Sequence, residues 1–140
     1  MATLKYWNGS AWELAIVGKQ GPLGPTGSTG PTGPVGVNLA GFNAQTGTTY
    51  TFVLSDKDKI VTANNGSSIT VTVPPSVFSA NDIVNIQQIG AGQVTFAQGA
   101  GVTITSTGAT VSAPKLRAQY SAASIICTGT NTFTIIGDIV

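Results

Sequence analysis

Hydrophobic and polar residues alternate with period two along much of the second half of the chain. Ile69, Val71 and Val73 alternate with threonines, and Val102 and Ile104 do the same. Such alternation is typical of β-strands with one face in a core, and no stretch has the 3.6-residue period of an amphipathic helix. The predicted strands are 49–54, 59–63, 69–73, 83–89, 94–98, 102–105, 116–120, 124–128 and 132–136.

Turn signals separate these predicted strands, as in the Asn-Asn-Gly-Ser segment at 64–67. Short strands at regular spacing favour an antiparallel β-sandwich, jelly-roll-like, over residues 49–140. The segments 90–98 and 99–107 both begin with Gly-Ala-Gly. Two degenerate copies are too few to predict a solenoid. The chain is therefore expected to be mainly β, with a sandwich as its C-terminal domain.

A strict three-residue glycine repeat fills residues 18–38, with seven Gly-X-Y triplets in one phase and Pro at four of the X positions. Three extended chains wind together only where every third residue lacks a side chain, and Pro at X pre-sets the extended backbone. The repeat predicts a collagen-like triple helix and thus a homotrimer, with a flexible Pro/Gly linker as the alternative. The predicted trimerisation residues are Gly18, Gly21, Gly24, Gly27, Gly30, Gly33 and Gly36.

A β-hairpin is predicted over residues 1–17, ahead of the repeat. Asn8-Gly9 favours a two-residue type I′ turn, which would place Lys5 opposite Trp12. Four apolar residues then share one face. Because an isolated hairpin is marginally stable in water, this face must be covered, either by the hairpins of the other two chains or by a socket on a larger assembly. The predicted anchor residues are Trp7, Trp12, Leu14 and Ile16.

Composition excludes several classes of function. The 140 residues include 8% charged residues, and the formal charge is +1. Nucleic-acid binding is not expected, because phosphate neutralisation needs clustered Lys and Arg. The chain has no His, which excludes Ser-His-Asp and Cys-His catalytic pairs and a zinc site of His and Cys. No apolar run is long enough for membrane insertion, and no cofactor is expected. Solubility rests on 20 Thr and 11 Ser.

The few acidic residues offer little catalytic chemistry. A glycosidase needs two positioned carboxylates, one of them with a raised pKa, and the carboxylates here are scattered along the chain. Asp56 and Asp58 alternate with lysines, which predicts a solvated turn, with a weak calcium contact as the alternative. Cys127 has no basic neighbour and is predicted to be a buried small hydrophobe. No catalytic residue and no metal site is predicted.

The layout of the whole chain resembles that of bacteriophage collagen-like fibre proteins. A Tyr-Trp-Asn-Gly-Ser-Ala-Trp segment at 6–12 leads into Gly-Pro-Thr-Gly repeats and then a β domain. That domain resembles a module of phage tail and head fibres, although Phe133 stands where Trp is expected. The resemblance implies a trimeric virion fibre with no enzymatic residues. The C-terminal motifs that carry it are 50–56, 69–74, 90–96, 99–104, 115–121 and 131–139.

Residues and resemblance together predict a structural fibre of a phage particle, on the virion surface, made in the host cytoplasm and released by lysis. The hairpin would dock on capsid or tail proteins, residues 39–48 would form a neck, and residues 49–140 would form a knob. The knob would adhere to host surface glycans or proteins, with avidity from three weak sites. Alternatives are a capsid head-fibre or decoration protein without a specific receptor, a bacterial spore or surface collagen-like protein, and a polysaccharide depolymerase.

Overall fold

The computed structural model describes residues 3–15, 23–27, 39–106 and 113–140. The chain divides into two compact units, Met1–Pro34 and Val35–Val140. In the described ranges the regular elements are β-strands and one 3-10 turn at Leu54–Asp56. No helix in these ranges is long and apolar enough to cross a membrane.

The first unit contains an antiparallel hairpin of strands β1 (Lys5–Trp7) and β2 (Trp12–Leu14). The two tryptophans lie opposite each other, so the loop has four residues instead of two and the predicted register is wrong. Asn8 is the physical reason. Its Oδ1 accepts hydrogen bonds from the backbone N–H groups of Ser10 and Ala11, at 2.9 and 2.8 Å. An Asn side chain that bonds the backbone in this way closes a wider loop than a two-residue turn.

The predicted collagen-like triple helix is not seen among the residues that the structure describes, so this part of the fold prediction is wrong. Within the repeat the structure describes residues 23–27, which are exposed and have no regular secondary structure. A polyproline II chain has no internal hydrogen bonds, which agrees with the lack of a regular element at residues 23–27. Gly24 and Gly27 belong to this described part. Gly18, Gly21, Gly30, Gly33 and Gly36 lie outside the described residues, and their role in trimerisation stays a prediction.

The second unit is a small β-solenoid-like fold, and the predicted antiparallel β-sandwich is wrong. Three successive coils of the chain each give one strand to each of two sheets. Within each sheet the strands of these coils are parallel. The coils consist of β3 (Phe42–Gln45) with β4 (Thr49–Thr51), β5 (Ile60–Ala63) with β6 (Ile69–Val73), and β7 (Ile83–Gln88) with β8 (Val94–Gln98).

Three further strands complete the larger sheet: β9 (Thr103–Ser106), β10 (Ala122–Gly129) and β11 (Thr132–Gly137). β10 pairs antiparallel with β7 and β11, whereas β11 pairs parallel with β9. The result is a six-stranded sheet, β3-β5-β7-β10-β11-β9, and a three-stranded sheet, β4-β6-β8. β3 falls within the segment 39–48, predicted to be a neck. The predicted strand 116–120 is reduced to one isolated bridge, between Leu116 and Ile139.

The core is built by inward side chains that stack on their equivalents in neighbouring coils. Val61 is in register with Ile86 in one sheet, and Tyr50, Val71 and Phe96 are in register in the other. The buried members of both sheets belong to one hydrophobic cluster. Alternation determines which residues face this core but leaves strand direction open. It is therefore compatible with both a sandwich and a solenoid.

The corners of successive coils also stack, and two glycines make their close approach possible. The Gly90 N–H donates to the Ala63 carbonyl at 3.1 Å, and the Gly92 N–H donates to the Asn65 carbonyl at 2.8 Å. A Cβ on Gly92 would lie 1.9 Å from the Ser67 carbonyl oxygen, and one on Gly90 would lie 2.3 Å from that of Asn65. These glycines are therefore needed for contact between coils.

Candidate functional surfaces

The hairpin carries an exposed aromatic face. The rings of Trp7 and Trp12 have centroids 5.6 Å apart at an interplanar angle of 58°. The two side chains are 53% and 65% exposed. Leu14 lies on the same face because it is paired with Lys5, two residues from Trp7. Three of the four predicted anchor residues thus share one exposed surface, and Ile16 lies outside the described residues.

The opposite face of the hairpin is polar and internally bonded. Glu13 accepts a hydrogen bond from the Tyr6 hydroxyl at 3.0 Å and another from Asn8 Nδ2 at 2.6 Å. These contacts hold the two strands in register and engage both carboxylate oxygens. The hairpin therefore has one polar, self-satisfied side and one aromatic side available to a partner.

A buried polar cluster lies in the first coil around Asp56, whose exposed fraction is 0%. Its Oδ1 accepts a hydrogen bond from Asn43 Nδ2 at 2.6 Å. Its Oδ2 accepts from the Tyr50 hydroxyl at 2.8 Å and from the Val53 N–H at 2.9 Å. The predicted solvated turn is wrong for Asp56, because the carboxylate is inside the fold and bonded to protein donors. The same contacts argue against the alternative, a calcium contact through this carboxylate. Among the described residues there is no group of three or more potential metal ligands.

Tyr50 belongs to the same cluster and stays protonated at neutral pH. Burial, together with the hydrogen bond to Asp56 and its charge, raises the pKa of Tyr50 to about 12. The hydroxyl also accepts from Asn43 Nδ2 at 2.8 Å, and Gln45 Nε2 donates to Asn43 Oδ1 at 2.7 Å. Because these groups satisfy one another, the cluster has a structural role in the first coil.

The outer face of the three-stranded sheet carries an ordered set of threonines, the threonine face. Its members are aligned by strand register in two rows: Thr49 with Thr70 and Thr95, and Thr51 with Thr72. Neighbours in a row are separated by one strand spacing, about 4.8 Å, and the rows by two residues, about 6.6 Å. The hydroxyls of Thr105, Thr128 and Thr132 bond to the protein. Those of the threonine face have no partner in the part of the chain that the structure describes.

The outer face of the six-stranded sheet is more apolar. Two shallow grooves of about 640 and 680 Å³ share Leu39, Asn85, Ser124 and Ile136 in their lining.

The inward face of the six-stranded sheet contains the buried Cys127, whose Sγ donates to the Phe78 carbonyl at 3.7 Å. This confirms the prediction that Cys127 is a buried small hydrophobe.

Neither the threonine face nor the Asp56 cluster was among the residues predicted from the sequence. The sequence signal for the threonine face is the repeated Thr-X-Thr at 49–51 and 70–72, which indicates a shared face only when these strands are known to be parallel neighbours.

No protein-family model matches the chain, and no curated protein matches it. The assignment of function therefore rests on the sequence patterns and on these surfaces.

Proposed function

We propose that this chain is a non-enzymatic structural protein of a bacteriophage particle, displayed on the virion surface in three copies. In this proposal the hairpin docks on another virion protein, and the second unit adheres to neutral glycans of the host surface. The fibre-like layout of hairpin, Gly-X-Y segment and β domain supports the virion assignment. The threonine face is the observation that supports adhesion.

The chemistry of the threonine face suits a neutral, hydroxyl-rich ligand. A hydroxyl both donates and accepts hydrogen bonds, as sugar hydroxyls do, and no charge has to be desolvated when such a ligand binds. Thr51 and Thr70 are exposed, and their γ-methyl groups give apolar contacts beside the hydroxyls. A shallow face of this kind binds weakly at one site, and three copies on one particle component raise the avidity.

The double variant Thr70→Val with Thr72→Val tests adhesion. Valine keeps the β-branched shape that strands favour and removes the hydroxyl. With about 0.5–1.5 kcal/mol for each lost hydrogen bond, binding to immobilised neutral oligosaccharides is expected to fall about tenfold or more. Biolayer interferometry measures this, with thermal unfolding to check the fold. Thr103→Val, on edge strand β9, is the matched control and should bind normally. Unchanged binding of the double variant would refute the glycan assignment.

The double variant Trp7→Ala with Trp12→Ala tests docking. Buried aromatic anchors commonly contribute about 2 kcal/mol or more each to an interface, so the protein is expected to disappear from purified particles. The second unit should keep its thermal unfolding transition, because it is a separate compact unit. Immunoblots of particles measure incorporation, and Ser10→Ala in the exposed loop of the hairpin is the control. Normal incorporation of the double tryptophan variant would contradict docking through this face.

A further inference from the structure

We propose that Asn8 is a modification site, at which the chain converts its own side-chain amide to a carboxylate. Asn8 and Gly9 lie in the loop of the hairpin, and both residues are exposed. The Gly9 backbone nitrogen forms a bond to Asn8 Cγ, and the bond from Cγ to Nδ2 breaks. The proton of the Gly9 N–H is transferred to Nδ2, which leaves as ammonia. Water then opens the resulting succinimide ring to aspartate or isoaspartate.

The loop holds the attacking nitrogen near the atom that it attacks. Asn8 Oδ1 accepts a hydrogen bond from the Ser10 N–H at 2.9 Å, and the ring that this bond closes contains both Asn8 Cγ and the Gly9 nitrogen. The Gly9 N–H has no acceptor in the described part of the chain. A Cβ on Gly9 would meet no atom within 4 Å, so there is open space for ring closure. Reacting groups held together in this way react in an intramolecular step.

The hydrogen bonds around the Asn8 amide match the charges that develop in this reaction. Attack on Cγ places negative charge on Oδ1, which already accepts from the backbone N–H groups of Ser10 at 2.9 Å and Ala11 at 2.8 Å. Such a pair of donors is the arrangement of an oxyanion hole. The nitrogen gains positive character as it is protonated, and Nδ2 lies 2.6 Å from Oε1 of the Glu13 carboxylate. Both ends of the amide therefore face groups that stabilise the transition state.

A second Asn-Gly pair, Asn65-Gly66, provides a comparison within the same chain. Among the described residues Asn65 Oδ1 accepts from one backbone N–H, that of Ser67 at 2.8 Å, and Asn65 Nδ2 donates to the uncharged Thr46 carbonyl at 2.6 Å. The Asn65 carbonyl also accepts from the Gly92 N–H of the next coil, which fixes the backbone that must rotate for ring closure. This corner thus lacks the second donor, the carboxylate and the freedom of the hairpin loop.

Conversion of Asn8 removes a bond that holds the hairpin together. A carboxylate oxygen replaces the Nδ2 donor, so that two negative charges face each other where Asn8 now bonds to Glu13. Like charges at such a distance repel, and an isolated hairpin is only marginally stable. Isoaspartate also adds a carbon to the backbone of the loop, which disturbs the pairing of Trp7 with Trp12. The aromatic face is therefore lost when Asn8 reacts. The effect on docking rests on the proposed function, whereas the reaction itself does not.

The rates of conversion at the two Asn-Gly pairs test this site in the unsubstituted full-length protein. The folded protein is incubated at neutral pH, and peptide mass spectrometry of timed samples measures aspartate and isoaspartate at each pair. Asn8 is expected to convert about tenfold faster than Asn65, or more. In concentrated urea, where both pairs are unfolded, the two rates should become similar. Equal rates in the folded protein, or a rate at Asn8 below its rate in urea, would overturn the assignment.

Two variants test the opening of the hairpin. Asn8→Asp has the reaction product in place and should lose the near-ultraviolet circular dichroism of the two tryptophans, which are the only ones in the chain. Ser10→Asp adds the same charge to the same loop, leaves the Asn8 amide bonded to Glu13 and should keep the signal. Loss in Asn8→Asp alone supports the opening. Equal signals in the two variants contradict it, whatever the outcome of the docking experiment.

Discussion

The Gly92→Ala variant is expected to lose about 3 kcal/mol or more of its unfolding free energy. Its Cβ would lie 1.9 Å from the Ser67 carbonyl oxygen and 2.9 Å from that of Asn65. Both neighbours are backbone atoms of the adjacent coil, so no side-chain rotation relieves the clash. Relief requires the coils to separate, which breaks the hydrogen bond from the Gly92 N–H to the Asn65 carbonyl.

Gly66→Ala is the matched control for this prediction. Gly66 lies in the same stacked corner, but a Cβ there would meet no atom within 4 Å. Its unfolding free energy should stay within about 0.5 kcal/mol of the unsubstituted value. Urea unfolding followed by circular dichroism measures both variants. Equal stability of Gly92→Ala and Gly66→Ala would show that the corners are not packed as described.

Asp56→Asn should cost about 3 kcal/mol, because it disturbs three hydrogen bonds to a buried carboxylate at once. The carboxylate accepts from Asn43, Tyr50 and Val53. An amide replaces one acceptor oxygen by an NH₂ group, which is placed against groups that are themselves donors. At least one of these donors then lacks an acceptor, and the first coil loses its fixed geometry.

Asp58→Asn provides the comparison for this change. Asp58 has a φ of 63°, a left-handed conformation that Asn adopts readily, so a change in unfolding free energy within about 0.5 kcal/mol is expected.

A double-mutant cycle of Asp56→Asn with Tyr50→Phe adds a second test. Residues that share a hydrogen-bond network show non-additive free energies, so Tyr50→Phe should cost less in the Asp56→Asn background. Additive losses in urea unfolding would place the two residues in separate interactions.

Individual strands were predictable where alternation is strict. The strands Ile69–Val73 and Val94–Gln98 occur with the predicted bounds. The parallel stacking was not predictable, because the coils differ in length: the registered residues Phe42, Ile60 and Asn85 are unequally spaced in the sequence. Because the coils have no fixed length, their repetition is present in the backbone geometry but nearly absent from the sequence.

The predictions made from neighbouring residues were wrong at Asp56 and at the hairpin loop. Lys57 directly follows Asp56 in the sequence, but its ammonium group pairs with Asp82. The carboxylate of Asp56 points inward, to donors on other parts of the first coil. In the hairpin, backbone propensity at Asn8-Gly9 favoured a tight turn, and the side chain of Asn8 stabilises a wider one. Both errors arise from interactions that nearest-neighbour patterns do not contain.

Parallel coils of this kind make the length of the domain adjustable. Each coil bonds mainly to the coil before and after it, so duplication of one coil would extend the stack by about 4.8 Å while the existing contacts are kept. Gene duplication within this domain would therefore lengthen the rows of the threonine face by one strand at a time, without the redesign of a shared core that a sandwich would require.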